Sequence, residues 1–457
     1  MIKKASLSRR KFLGVSAAAI AVPTIIPSSA LGIGKRPAPS NRINVACFGM
    51  GTIAHTTVPN FLNNDNVQVV AFADVNRKSG SYGYRGELEG GRLYGMQLVN
   101  EHYAKDSGRS KYRGCRAYED FRELLDNEDV DAVNISTPDH WHAVMAIYCA
   151  NKKKHVYGQK PLAVTIAEGR AMAKAVARNG VTWQTGSQQR SESQFREAVE
   201  FVRNGRIGNL KKISIKIPGG HSNWNQMGDR LDPEPVPEGL NYDLWQGPAP
   251  HRDYRPALLP LNWRHNYDYS GGMITDWGAH HVDIAQWAMD MDKSGPELIE
   301  INYADLPPGD DIYNTSTAFS FQCTYKSGVK MIVQDNGGES NGITFEGDNG
   351  KSIFVKRGSI TMDPLELRRK QIQPDEIHVY KSTDHVGNFI DCIYSGERTA
   401  APIEAAHRTI SICHLANIAI RLGRKSLKWD PKRERILDDK EASKYISRPI
   451  RGNWKLS

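Results

Sequence analysis

The sequence predicts an α/β chain in two parts: a parallel sheet with crossover helices, then an α+β half built on a large, mostly antiparallel open sheet. Three observations predict it. Up to about residue 180, apolar runs bounded by turns alternate with longer segments of helical period, the pattern of strands joined through helices. A glycine-rich turn, GMGTIA, stands between the first such run and the segment that follows. Past residue 300 the apolar period changes to two: Phe319, Phe321, Cys323 and Tyr325 alternate with Ser320, Gln322 and Thr324, as half-buried antiparallel strands require.

The elements follow in order. INVACF is the first strand, VQVVAFA the second and VDAVNIS the fourth. Between them GSYGYRGELEGGRLYG (80–95) is rich in glycine and is expected to be a surface loop. Helices are expected over HWHAVMAIYCANKKK and TIAEGRAMAKAVARNG, the second stopped by Gly180 with Arg178 in its last turn. Residues 233–260 carry Pro233, Pro235, Pro237, Pro248, Pro250, Pro256 and Pro260, so neither helix nor central strand can run there. An irregular excursion of this kind is expected to border a site. TFEGDNGKSIFV contains a hairpin turn at Asn349 and Gly350. EAAHRTISICHLANIAIRLG is small or apolar around most of its circumference, so it reads as a buried helix ending at Gly423 beside Arg421 and Arg424. The expected divisions are a leader (1–30), a linker (31–40), a nucleotide-binding domain (41–162) and a substrate-binding and oligomerisation domain (163–457).

The leader has three parts. Lys3, Lys4, Arg9, Arg10 and Lys11 come without an acid, followed by a 16-residue run from Phe12 to Pro27 and by Ser28, Ser29 and Ala30. A spanning helix needs roughly 20 apolar residues, so no stable membrane insertion is expected. The paired arginines of SRRKFL predict export of the folded chain by the twin-arginine machinery, and hence a periplasmic protein. Without residues 1–30 the net charge falls from +9 to near +4, and no basic run points to nucleic acid. The six cysteines lie far apart, at 47, 115, 149, 323, 392 and 413, and form neither a disulfide framework nor a metal clamp.

GMGTIA fits the Rossmann glycine fingerprint. Gly49 permits the tight turn, Gly51 lets a pyrophosphate approach the backbone, Thr52 and Ile53 lead into the helix, and small Ala54 replaces the third glycine. Asp74, 25 residues beyond Gly49 and directly after the second strand, can accept the adenosine ribose hydroxyls and repel a 2′-phosphate. NAD is therefore expected over NADP, although Arg77 and Lys78 could neutralise an extra phosphate.

At STPDHWHAVMAIYCANKKKHVYGQKP the chain resembles the Gfo/Idh/MocA oxidoreductase family. The resemblance rests on the TPxxxH pattern (Thr137, Pro138, His142), on KHVY running into an EKP-like motif, and on GGMITDWGAHHVDIAQW, which is similar to GGxxxDxxxHxxD. NFIDCIYSGERTAAPIEAAHRTISICHLANIAIRLGRK is similar to a subset of exported bacterial members. The resemblance implies that Ser136, Thr137 and Pro138 border the nicotinamide, with His142 and Lys160 in the cofactor site, and that the protein is a homo-oligomer pairing through its second sheet. One departure is visible: Gln159 stands where the family usually has Glu, which removes a possible ion-pair partner of Lys160.

These residues also make chemical sense unaided. Oxidation of a secondary alcohol needs a proton acceptor and a charge that stabilises the developing alkoxide. Lys160 can supply the charge, and His280, with an ordinary imidazole pKa of about 6.5, can accept the proton. Asp276, four residues earlier on one helix face, can orient substrate or imidazole. The resemblance and their position imply Gln188, Arg264 and Asn266 as hydroxyl binders, and Trp224, Trp245, Trp263, Trp277 and Trp287 offer flat faces for a sugar. His140, His142, His280 and His281 could ligate a metal, but no HExxH or Cys/His clamp fixes a geometry, and none is expected.

The resulting expectation is an NAD(P)-dependent oxidoreductase acting on a secondary hydroxyl of a sugar, polyol or glycoside, with a tightly bound, recycled cofactor. The alternatives are a redox-neutral NAD-dependent glycoside hydrolase (oxidation, elimination, re-reduction) and a non-catalytic sugar-binding protein.

Overall fold

The computed structural model describes residues 36–457 apart from 109, 222, 308–311 and 370. The leader expected at 1–30 and the first half of the expected linker lie outside the described residues. The chain forms two units, Met1–Arg42 and Ile43–Ser457. The described part of the first is a short segment with one 3₁₀ turn, Pro39–Asn41.

The second unit opens with β1 (Ile43–Phe48) and β2 (Val67–Ala73), continues through β3 (Ser79–Tyr82) and β4 (Leu88–Gly90), and then adds β5 (Arg116–Tyr118), β6 (Ala132–Ile135), β7 (His155–Gly158) and β8 (Trp183–Thr185). Six of these form a parallel sheet in the order β5-β2-β1-β6-β7-β8. Both faces are covered, which is why INVACF and AVNI read as continuous apolar runs. Strand order reverses between β1 and β6, and the crevice beyond their carboxyl ends is where such sheets bind ligands.

Two expectations are corrected here. Residues 80–95 are not simply a loop: β3 and β4 pair as a separate two-stranded sheet, and the helix Arg92–Asp106 starts inside the segment. The glycines serve that hairpin, since Gly90 and Gly51 both pack on the ring of Tyr82. The parallel sheet also runs past residue 162, where the domain boundary was expected. The helix Ile166–Asn179, capped by the Thr165 side chain and stopped by left-handed Gly180, is a further crossover that returns the chain to β8.

A second sheet has nine strands: β9 (Leu210–Ile217), β10 (Leu298–Asp305), β11 (Ala318–Thr324), β12 (Lys330–Asp335), β13 (Gly342–Gly347), β14 (Ser352–Lys356), β15 (Ser359–Asp363), β16 (Ser426–Asp430) and β17 (Arg435–Leu437). They lie in the order β15-β14-β13-β9-β12-β11-β10-β16-β17, and only the β9/β12 pair is parallel. Period two is explicit in β9, where Ile213, Ile215 and Ile217 are buried while Lys212, Ser214 and Lys216 face outward. The buried face, with Phe319, Phe321 and Phe345 fully inaccessible, packs on helices Gly278–Ala288, Ser193–Arg203 and Ile403–Arg421. Each such ring removed from water contributes about 1.5–3 kcal/mol.

Residues 233–260 are irregular apart from the short helix Tyr242–Gln246 and a 3₁₀ turn at Pro256–Leu258. No helix among the described residues is long and apolar enough to cross a membrane. All six cysteines are buried and free.

Candidate functional site

β1 is followed directly by Gly49, whose φ is +84°. A Cβ there would stand 2.6 Å from the carbonyl oxygen of Ser136 at the end of β6, so both the turn and the close strand approach require glycine. Beyond this turn lies a cleft with about 900 Å³ of empty space, walled by Gly49, Gly51, Thr52, Ile53, Asp74, Ser136, Thr137 and Pro138 among others. Eight sequence-predicted cofactor residues therefore meet in one place. The helix Ala54–Leu62 begins at this turn and presents its amino end to anions.

Asp74 sits on the cleft wall with one carboxylate oxygen accepting from Met50 N (2.8 Å) and the other from Asn76 N (2.8 Å). Burial raises its pKa, opposed by those two N–H groups and by the charge of Arg92. Thr52 is tied to the hairpin, its hydroxyl accepting from Gly83 N (2.9 Å). Asn76, Tyr82 and Glu119 also line the cleft; sequence reasoning missed them, and Asn76, two residues past Asp74, was the legible one.

More of the wall comes from the proline-rich excursion, through Leu240, Leu244, Trp245 and Leu259, and from Leu261, Trp263 and Arg264 just beyond it. The excursion is pinned beside Asp74: Arg77 N donates to Gly239 O (2.8 Å), Asn241 N to Val75 O (3.0 Å), and the Asn241 amide to Glu119 Oε1 (2.7 Å).

Lys160 follows β7, and its Nζ donates to Asp276 Oδ1 (2.7 Å) and to the Asp276 carbonyl (3.1 Å). Arg264 Nε is 3.5 Å from the same carboxylate oxygen, and Arg264 stacks on Trp263 (4.5 Å) and Trp224 (5.1 Å). Burial alone would raise the Asp276 carboxyl, but Lys160 and Arg264 outweigh it and hold the pKa at about 2. Asp276 thus supplies the ion-pair partner that Gln159 cannot. Gln159 is 3% exposed, and neither of its amide atoms has a hydrogen-bond partner.

Two expectations about this cluster change. The helix is broken: Gly272–Asp276 ends, Trp277 turns the chain, and Gly278–Ala288 begins, so Asp276 orients Lys160 rather than His280. His280 does not have an ordinary imidazole pKa. Burial lowers it well below the usual value, and the nearby charges of Lys160 and Arg357 lower it further. It is neutral at physiological pH, with Nδ1 buried and unpartnered.

His142 lies beside the cleft rather than on its wall. Its ring nitrogens face Pro161 O (2.8 Å) and Thr137 O (3.0 Å), so it splices the Thr137 turn to the Lys160 turn. Gln188 donates to the Tyr157 hydroxyl (3.4 Å) and does not line the cleft. Asn266 is fully buried with its amide committed to Ile312 O and Asp268 N, which removes it as a hydroxyl binder. His140 faces Trp245 O (2.8 Å), and among the described residues no group of three or more His, Cys, Asp or Glu converges to hold a metal. Asp283, the last acid of the DWGAHHVD run, makes a bidentate pair with fully buried Arg190 (2.7 and 2.8 Å), locking the His280 helix to the end of the parallel sheet.

Sequence reasoning also missed Asp139. This acid is 3% exposed, accepts a hydrogen bond from Ser270, and lies within electrostatic reach of Arg264, Asp276 and Lys160. Burial raises its carboxyl to about 7. A folded-state pKa above the unfolded one means that its contribution to stability is complete at acid pH and is lost as pH rises through about 7. Asp139→Asn is therefore expected to gain stability relative to the parent as pH rises from about 4 to about 7. Denaturant melts across that range check it; parallel curves for the two proteins contradict it.

A parallel nucleotide-type sheet whose cleft is closed by a second α+β half defines a two-domain dinucleotide-binding protein. The chain belongs to the Gfo/Idh/MocA oxidoreductase family: its NAD-binding Rossmann-fold model matches residues 91–187 and its C-terminal alpha/beta domain model matches residues 192–456. The chain is 33% identical to a myo-inositol 2-dehydrogenase of Thermotoga maritima over 213 residues, 47% of this chain and 50% of that one. It is 30% identical to a glycosyl hydrolase family 109 protein of Shewanella pealeana over 181 residues, 35% of each. The match spans half or less of the length of these two curated relatives. The crystal structure of the WlbA dehydrogenase from Bordetella pertussis, in complex with NADH and UDP-GlcNAcA, shares the fold with a TM-score of 0.58 at 16% identity, covering 85% of this chain and 99% of that one.

Proposed function

We propose that the protein is an NAD-dependent oxidoreductase acting on a secondary hydroxyl of a sugar, polyol or glycoside, with its cofactor retained between turnovers. The observation that carries this reading is the Lys160–Asp276 pair, which does not itself line the glycine-turn cleft but is held against Arg264, which does. The Gly49 turn and the space beside it fit a dinucleotide, and the nicotinamide, when bound, supplies the hydride acceptor. Lys160 presents a charged donor, already oriented by Asp276, to the oxygen where alkoxide charge develops. Neutral His280 has a free lone pair for the hydroxyl proton, though its lowered pKa makes it a weak base, so charge stabilisation by Lys160 bears more of the barrier. Trp263 and Trp224 on either side of Arg264 suit the apolar face and hydroxyl rim of a sugar.

NAD is favoured over NADP because Asp74 and Glu119 both face the cleft, where a 2′-phosphate would meet two carboxylates. Of the nearby cations, Lys78 is exposed and paired with Glu89 (3.2 Å) and Arg92 is paired with Glu119 (3.0 Å), which leaves Arg77 as the one that could meet a 2′-phosphate. Retention is supported by the pinned excursion, which lines the cleft and is held beside Asp74. It also fits the proposed route: a chain exported folded through its SRRKFL leader to the periplasm carries its cofactor with it and reoxidises it in place. A homo-oligomer formed through the outer face of the nine-stranded sheet belongs to the same proposal.

The second reading, redox-neutral glycoside hydrolysis, is favoured by the Shewanella pealeana relative. Product analysis on sugars and aryl glycosides, with and without an electron acceptor, separates the two. A keto sugar formed only with acceptor supports net oxidation, while aglycone released without net NADH supports hydrolysis. Binding without either product overturns both.

A further inference from the structure

A second cleft, with about 1030 Å³ of empty space, is walled by Val164 and Thr165, just beyond Lys160, and by Ser270 and Gly271, which enter the helix ending at Asp276. It shares no wall residue with the dinucleotide cleft. Three cations line it: Arg421, Lys444 and Arg448. The one carboxylate on its wall, Asp268, is already taken by Arg252 Nε (2.7 Å).

The three cations are unevenly satisfied. Arg421 lies against two rings, its guanidinium carbon 4.4 Å from the centre of Tyr267 and 5.0 Å from that of Tyr445. Its faces are filled, but no hydrogen bond or ion pair engages its edges among the described residues, and Lys444 likewise has no ion pair there. Arg448 places Nε on Glu168 Oε1 (2.7 Å) and Nη1 on Asp268 O (2.6 Å), while its Nη2 is buried without a partner. A guanidinium fixed by stacking has lost its rotamer freedom in advance, so binding orders little more, and its in-plane donors match a planar or tetrahedral oxyanion. Arg421 and Lys444, two like charges without an acidic partner among the described residues, converge on one cleft and raise the local potential for an anion, while Arg448, paired with Glu168, adds a free N–H rather than a free charge. The wall behind them is stiff: the Asn417 amide holds Gly271 O (2.9 Å) and accepts from the Tyr267 hydroxyl (3.3 Å).

We propose that this cleft is a binding site for a small oxyanion, the phosphate or carboxylate of a low-molecular-weight metabolite, separate from the cofactor and from the hydroxyl that is oxidised. The test uses the full chain saturated with NAD, so that the other anion-seeking cleft is filled. Inorganic phosphate, sulfate and malonate are titrated against chloride at constant ionic strength, by thermal melting and by calorimetry. At least one oxyanion is expected to bind saturably and raise Tm, with affinity falling tenfold or more in Arg421→Gln/Lys444→Gln. Phosphate and sulfate binding without malonate assigns a phosphoryl ligand; tighter malonate binding assigns a carboxylate. No saturable binding beyond chloride overturns the proposal, as does binding that the double variant leaves unchanged. If the double variant melts early without ligand, Lys444→Gln alone, on the exposed rim, carries the comparison and is expected to weaken binding at least threefold.

Discussion

Lys160→Met is expected to lower turnover by about 10³-fold, the scale of losing one donor at a developing oxyanion, while leaving nucleotide content and fold intact. The side chain is 14% exposed and its ammonium has two contacts, both to Asp276. Stripping a buried carboxylate of its partner ordinarily costs about 3–5 kcal/mol. Here Arg264, 3.5 Å away, remains to compensate Asp276, so the loss in stability is expected at the lower end or below. The effect should fall on kcat rather than on nucleotide affinity, because the ammonium acts where charge appears in the transition state. Steady-state and single-turnover rates check this, and a variant within tenfold of the parent removes Lys160 from the mechanism.

Gly49→Val should destroy the nucleotide site outright. A β-branched residue at φ +84° is strained by about 1–3 kcal/mol, and its Cβ meets the Ser136 carbonyl at 2.6 Å. That carbonyl belongs to backbone at the end of a paired strand and cannot swing aside as a side chain would. The expected outcome is a protein that melts earlier and releases no nucleotide on denaturation. Gly80→Ala is the control: a Cβ at Gly80 meets nothing within 4 Å, and nucleotide content should be unchanged. Equal nucleotide content in Gly49→Val and parent contradicts the assigned cradle.

The legible and illegible parts of this molecule divide along physical lines. Gly49, Gly51 and Asp74 were readable because a strand, a tight turn and the acid ending the next strand are set by local chain geometry, and the structure places all three around one cleft. The Lys160–Asp276 contact joins residues 116 positions apart; motif order nominated each residue, but nothing local in the sequence pairs them. The helix break at Trp277 was hidden because MITDWGAHHVDIAQW carries no proline and only one glycine after its start, and it redirected Asp276 from His280 to Lys160. Burial redefined the protonation of His280 and of Asp139, and burial of a polar side chain is a tertiary fact. β9 is the opposite case: LKKISIKI alternates plainly, but it stands alone among helical segments ahead of residue 300, far in sequence from the strands it pairs with. The pinning of residues 239–241 to 75–77 had no sequence signal beyond the prolines that kept the excursion irregular.

The central claim is that a dinucleotide is held between the glycine turn and the proline-rich excursion and stays there. Its most direct test is native purification of the protein, followed by denaturation and identification of released nucleotide. One equivalent of NAD per chain is the predicted result. Protein that releases no nucleotide, and that afterwards binds neither NAD nor NADP, contradicts it.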